Sequence, residues 1–120
     1  MDAAALNDLA DRLFDAFVAH DLDAVELMMA PDAVVVQNGN RSTFAESRVR
    51  LEAIMEMVGD HRYEEVRRVV GDNAVVEEHQ VRSTTPTGKQ LDLAACVVVR
   101  VDDAGQIVSM DEYVDPSQLG

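Results

Sequence analysis

A chain of 120 residues with 48% apolar and 28% charged side chains can enclose one core without staples and is too apolar to remain disordered. Its 23 acidic against 10 basic residues give a net charge of −13, which repels phosphate backbones and anionic bilayers, so neither nucleic acid nor a membrane is an expected partner. Cys96 is the single cysteine and rules out an intrachain disulfide or a thiolate metal cluster; with no leader-like stretch and no membrane-length apolar run, a cytoplasmic protein is expected.

From Ala3 to Ala19, Leu6, Leu9, Leu13, Phe14 and Phe17 recur at helical spacing, which predicts a helix with one buried face. Asp21 is a candidate cap for a short second helix through Met29, stopped at Pro31-Asp32. The β-branched run from Ala33 to Gln37 predicts a buried strand that delivers Gln37 and Asn38 to a turn, Asn38-Gly39-Asn40. Thr43 with Glu46 is a capping box for a third helix reaching Val58, and Gly59-Asp60 ends it. The hydrophobic period then changes to two, predicting strands over 62–70, 74–85, 90–101 and 106–115 joined by short turns, hence an antiparallel meander. The expected fold is a single α+β domain over residues 1–120, with three helices packed on one face of a curved sheet.

The closing strand carries the candidate chemistry. Alternation puts Val108, Met110, Glu112 and Val114 on one face, and Ser109, Asp111, Tyr113 and Asp115 on the other. Glu112 therefore shares an apolar face, where burial would raise its pKa towards the range useful for acid–base work. On the strand over 74–85, Val76, Glu78, Gln80 and Arg82 share a face. If that face is concave, Glu78 and Glu112 converge over small Ala95 with Gln80 beside them; if it is exposed, Glu78 and Arg82 form a surface ion pair worth little. The histidines are expected elsewhere: His20 at a helix end, His61 in a surface loop and His79 on the outer sheet face. They form no metal motif, and no metal or other cofactor is expected.

Two stretches, Phe17-Val18-Ala19-His20-Asp21-Leu22-Asp23-Ala24-Val25 followed by Pro31-Asp32-Ala33-Val34, and Gly105-Gln106-Ile107-Val108 followed by Glu112-Tyr113-Val114-Asp115, resemble the SnoaL-like branch of the nuclear transport factor 2-like superfamily. The resemblance implies a cone-shaped sheet around a deep apolar pocket, a homodimer, and relatives among ketosteroid isomerases, polyketide cyclases and limonene epoxide hydrolases. A ketosteroid isomerase site would need acidic or phenolic groups at Leu13, Gln37 and Val97, and these residues lack that chemistry. An epoxide hydrolase site matches at Glu112 and Asn38, but its Arg-x-Asp becomes Glu78-His79-Gln80 and its tyrosine becomes Val36. A cyclase-like site needs less and stays open.

The expected function is acid–base chemistry on a small, largely apolar organic molecule. Glu112 and Glu78 are the candidate catalytic pair, Gln37, Asn38 and Gln80 the polar contacts, and Leu13, Phe17, Val97 and Met110 the apolar wall. The alternative is a domain of the same shape that binds a ligand or partner without catalysis. A homodimer is expected to form through the outer sheet face, with Val81, Cys96, Val98 and Tyr113 in the contact.

Overall fold

The computed structural model describes residues 1–118. Helix α1 spans Ala3–Val18, α2 Leu22–Met28 and α3 Phe44–Val58, and the strands are β1 Met29–Gln37, β2 Asn40–Thr43, β3 His61–Gly71, β4 Ala74–Thr84, β5 Gln90–Val101 and β6 Ile107–Val114. They form one open mixed sheet in the order β2-β1-β6-β5-β4-β3. The meander from β3 to β6 is antiparallel as the alternation predicts, and β1 joins it parallel to β6. The fold is the expected α+β cone, with the helices lying on the concave face of the sheet. No helix among the described residues is long and apolar enough to cross a membrane.

The helix ends follow their sequence signals. Asp2 accepts a hydrogen bond from the Ala5 amide at 2.8 Å, and Asp21 does the same for Ala24 at 3.1 Å. At α3 the capping box closes in both directions: Glu46 N–H donates to the Thr43 hydroxyl at 3.2 Å and Thr43 N–H donates to the Glu46 carboxylate at 3.1 Å. Gly59 ends this helix with φ +76°, and a Cβ there would meet Pro86 and the Thr84 carbonyl at 3.3 Å, so both its conformation and its tight packing require glycine.

The stripe on α1 buries Leu6, Leu9, Leu13, Phe14 and Phe17 against the sheet, each leucine contributing roughly 1.5–3 kcal/mol. It meets a buried cross-strand row of Val35, Met110, Val99 and Val75. Three details depart from the expected elements. Strand β2, which was not expected, follows the Asn38-Gly39 turn and pairs antiparallel with β1. Strand β1 begins at Met29, with exposed Pro31 and Asp32 inside a register shift, where a missing N–H is tolerated. Strand β3 carries a bulge between Glu64 and Arg67, where Glu65 takes φ +54°. The bulge inverts the alternation, so His61 and Tyr63 before it and Arg68 and Val70 after it are all on the inner side.

Candidate active site

The registers place a second row beside the apolar one. Gln37 on β1 pairs with Glu112 on β6, Glu112 with Val97 on β5, Val97 with Glu77 on β4, and Glu77 with Arg68 on β3. Paired residues share a face. The concave face thus presents two carboxylates separated by Val97.

Glu77 is only 1% exposed, and each of its carboxylate oxygens has a partner. Arg68 Nε donates to its Oε1 at 2.6 Å, and His79 Nδ1 lies 2.5 Å from its Oε2. Arg68 Nη1 also donates to Asp11 at 2.7 Å and to the Asn7 carbonyl at 3.2 Å, which ties β3 to α1. The His79 ring stacks on Tyr63 at 4.2 Å between centroids and meets the edge of Phe14 at 5.3 Å. Every partner of this carboxylate is buried or nearly so, and the cluster works as a paired structural plug.

Glu112 has a different setting. It lines a cavity of about 110 Å³ whose helix side is Phe14, Phe17, Leu51, Ile54, Met55 and Val58. Val81, Leu93, Val97, Met110 and Val114 form the apolar part of the sheet side, and Glu112, Tyr63 and His61 are the polar groups in the wall. Among the described residues no lysine or arginine lines it. The side-chain amide of Gln37 donates to Glu112. Gln37 Oε1 accepts from the Ser47 hydroxyl and from Arg50 Nε, each at 3.4 Å, so the amide's NH₂ is the end left to face the carboxylate. Burial pushes the Glu112 carboxyl above its ordinary value of 4.5, against the opposing effects of the Gln37 hydrogen bond and of His79.

His61 completes the rim. Its ring stacks on exposed His20 at 5.5 Å and meets the edge of Tyr63 at 5.0 Å. Burial, together with His20 and His79, holds His61 below its ordinary 6.5, which leaves it uncharged at neutral pH. The cavity is therefore an apolar volume with one carboxyl, which burial holds above its ordinary range.

Of the residues singled out in the sequence, Glu112, Gln37, Phe17, Val97 and Met110 are brought together at this cavity. Glu78 is not: it is exposed on the outer face, 3.7 Å from Arg67. Gln80 shares that outer face, and Arg82 there binds Glu65 at 2.6 Å. Asn38 does not face the cavity either. Its side chain exchanges two 2.9 Å hydrogen bonds with the Val114 backbone, clamping β1 to β6 with φ +47°. Leu13 is fully buried in the core and absent from the cavity wall. His79 and Val81 point inwards, opposite to their expected face, and His61 lines the cavity instead of a surface loop.

The residues that sequence reasoning missed are Glu77, His79, Arg68, Tyr63 and Ser47. The available signal was the length of the β4–β5 turn. With Thr84 opposite Gln90, odd residues of β4 face odd residues of β5, so the Glu77 set shares the face of Val97. Among the described residues no group of three metal-ligating side chains is placed to hold an ion.

The profile of the SnoaL-like domain matches residues 10–110, nearly the whole chain. The chain belongs to the SnoaL-like domain family. Solved structures agree on the fold. AclR from Streptomyces galilaeus, a proposed hydroxylase, superposes with a TM-score of 0.87 at 19% identity, covering 98% of this chain and 94% of its own. A proposed polyketide cyclase from Xanthomonas campestris pv. campestris gives 0.84 at 19% identity, with 97% and 94% covered. IdmH from Streptomyces antibioticus, also a proposed polyketide cyclase, gives 0.80 at 22% identity, with 92% of each chain covered. No curated protein sequence matches the chain. At these identities the structural likeness establishes the SnoaL-like cone and leaves the chemistry to the residues in it.

Proposed function

We propose that this SnoaL-like protein is an enzyme for a small, largely apolar organic molecule and that Glu112 is its acid–base group. The observation that carries the reading is a carboxyl in an apolar cavity, raised by burial and held by the neutral amide of Gln37. A carboxyl poised above its ordinary value can take a proton from a substrate and return it, which suits cyclisation, isomerisation or activation of water on an epoxide. Glu78, expected from the sequence to be the second carboxylate, lies on the opposite face of the sheet and has no part in this reading. Its place in the row is taken by Glu77, whose pairing with Arg68 and His79 suits it to holding the wall rather than moving protons.

Native mass spectrometry of the purified protein identifies a retained ligand, and turnover of that ligand is then compared between wild type and Glu112→Gln. Loss of turnover with an unchanged circular dichroism spectrum is expected; equal turnover sinks the assignment. The strongly apolar wall also suits plain ligand binding, and binding without any conversion by wild type would favour that second reading.

We also propose a homodimer through the outer sheet face. Support comes from two neighbouring pairs on that face, Val76 beside Val98 and Cys96 beside Tyr113, the last of them 50% exposed. Val81 is not part of it, since it lines the cavity. Sedimentation showing only monomer at working concentration would count against the dimer.

A further inference from the structure

We propose that ligands reach the cavity from a groove between the α1–α2 turn and α3, and that the Met55 side chain is the gate between groove and cavity. The inference rests on the cavity as the ligand-binding volume and goes beyond the acid–base reading of Glu112, since it concerns which molecules arrive and how fast.

Helical spacing divides one side of α3 into two stripes. Leu51, Ile54, Met55 and Val58 recur at three and four residues and line the cavity. Arg48, Glu52, Met55 and Glu56 recur in the same way a step round the helix and line a surface groove of about 350 Å³, whose other bank is residues 20–23. Among the described residues only Met55 belongs to both linings. The stack of His20 on His61 at 5.5 Å completes the partition, with His20 on the groove side and His61 in the cavity wall.

The backbone on both banks is held. Helix α3 is fixed at its start by the Thr43–Glu46 capping box and at its end by the Gly59 N–H, which donates to the Met55 carbonyl at 2.9 Å. On the facing bank, His20 N–H donates to the Phe17 carbonyl at 3.1 Å and Asp21 N–H to the Ala16 carbonyl at 2.9 Å. Arg48 Nη2 ties the banks together by donating to Asp23 at 2.7 Å. The part left to move is a side chain. Met55 is half-buried, unbranched and has three rotatable bonds, so it can swing between cavity and groove while the helix stays in place. The groove carries four carboxylates, on Asp21, Asp23, Glu52 and Glu56, against the single guanidinium of Arg48. A field of that sign slows anions and speeds cations on approach, so an uncharged probe reports the gate alone.

The test follows 4-fluorobenzyl alcohol by fluorine NMR exchange, with its position read from intermolecular NOEs to the methyl groups of Leu93 and Val97 in the cavity wall. In Met55→Ala, association and dissociation are both expected to be roughly tenfold faster while affinity changes far less, because a gate acts on passage in both directions. Met55→Phe is expected to slow both. Ile54→Ala, at a residue that lines the cavity and not the groove, is expected to change dissociation and leave association as in wild type. A Met55 that only packs the wall would behave like Ile54. Association rates equal to wild type in both Met55 variants overturn the proposal, as does an alcohol that fails to bind or shows no NOE to Leu93 and Val97. The experiment reads binding and not turnover, so the gate can fall while Glu112 stands, and Glu112 can fail as the acid–base group while the gate stands.

Discussion

Glu77 and Glu112 occupy one cross-strand row with only Val97 between them, yet their surroundings are opposite in kind. Glu77 meets a guanidinium at 2.6 Å and an imidazole at 2.5 Å and has no open side; Glu112 meets the amide of Gln37 and faces an apolar cavity. A carboxylate with both oxygens partnered is a fixture of the fold, and the one left short of partners is the proposed reagent. Position in the sheet alone does not separate them, because both point to the concave side. Neighbours supplied by α1, α3 and the bulged β3 do.

The largest effect should come from removing the reagent. Glu112→Gln is expected to lower turnover of the identified ligand by about 10²–10⁴-fold, read by steady-state kinetics. The same variant should gain stability relative to wild type as pH rises. A carboxyl whose folded pKa lies above its unfolded value of about 4.5 contributes its full stability below that value and loses it as pH climbs through the folded pKa. Urea unfolding at a series of pH values should therefore show the two proteins diverging upwards from that point; a constant difference would mean that Glu112 is not desolvated.

Breaking the fixture should act on folding first. Arg68→Met leaves Glu77 buried and short of its guanidinium, an expected loss of about 3–5 kcal/mol in chemical unfolding. Combining it with Glu77→Leu removes the orphaned charge and is expected to recover most of that loss. No recovery would show that Arg68 acts mainly through Asp11 and Asn7 on α1.

Smaller changes sharpen the contrast. Gln37→Leu removes a donor to Glu112 and is expected to raise its titration midpoint further, seen by carboxyl-carbon NMR. Ser83 offers a buried polar group with neither kind of support: its hydroxyl is buried and has no partner among the described residues. Ser83→Ala is expected to stabilise the fold by roughly 1 kcal/mol in thermal unfolding.

Much of this was legible in the residues. Helix stripes, caps and the period-two run predict the elements in order with the exception of β2, and alternation along β6 alone separates Glu112 from Asp111 and Tyr113. The partner side was not legible, for two physical reasons. Placing Thr85 opposite Gln90 pairs even residues of β4 with odd residues of β5 and selects Glu78; the actual turn runs through five residues, from Thr85 to Lys89, and selects Glu77 and His79. A single residue in a turn inverts a face. The bulge at Glu65 likewise breaks the alternation of β3, so no single parity could have put both Tyr63 and Arg68 inside. Asn38 was misread because a polar residue after a strand can face a ligand or clamp a neighbouring backbone, and only the register with Val114 distinguishes the two.

The most direct measurement is the titration of the Glu112 side-chain carboxyl in the free protein, followed by carbon NMR with Glu112→Gln used to assign the signal. A midpoint clearly above 4.5 is expected for a carboxyl desolvated by the cavity and held by the Gln37 amide. A midpoint at or below that value would contradict the distinction between reagent and fixture on which the proposed chemistry stands.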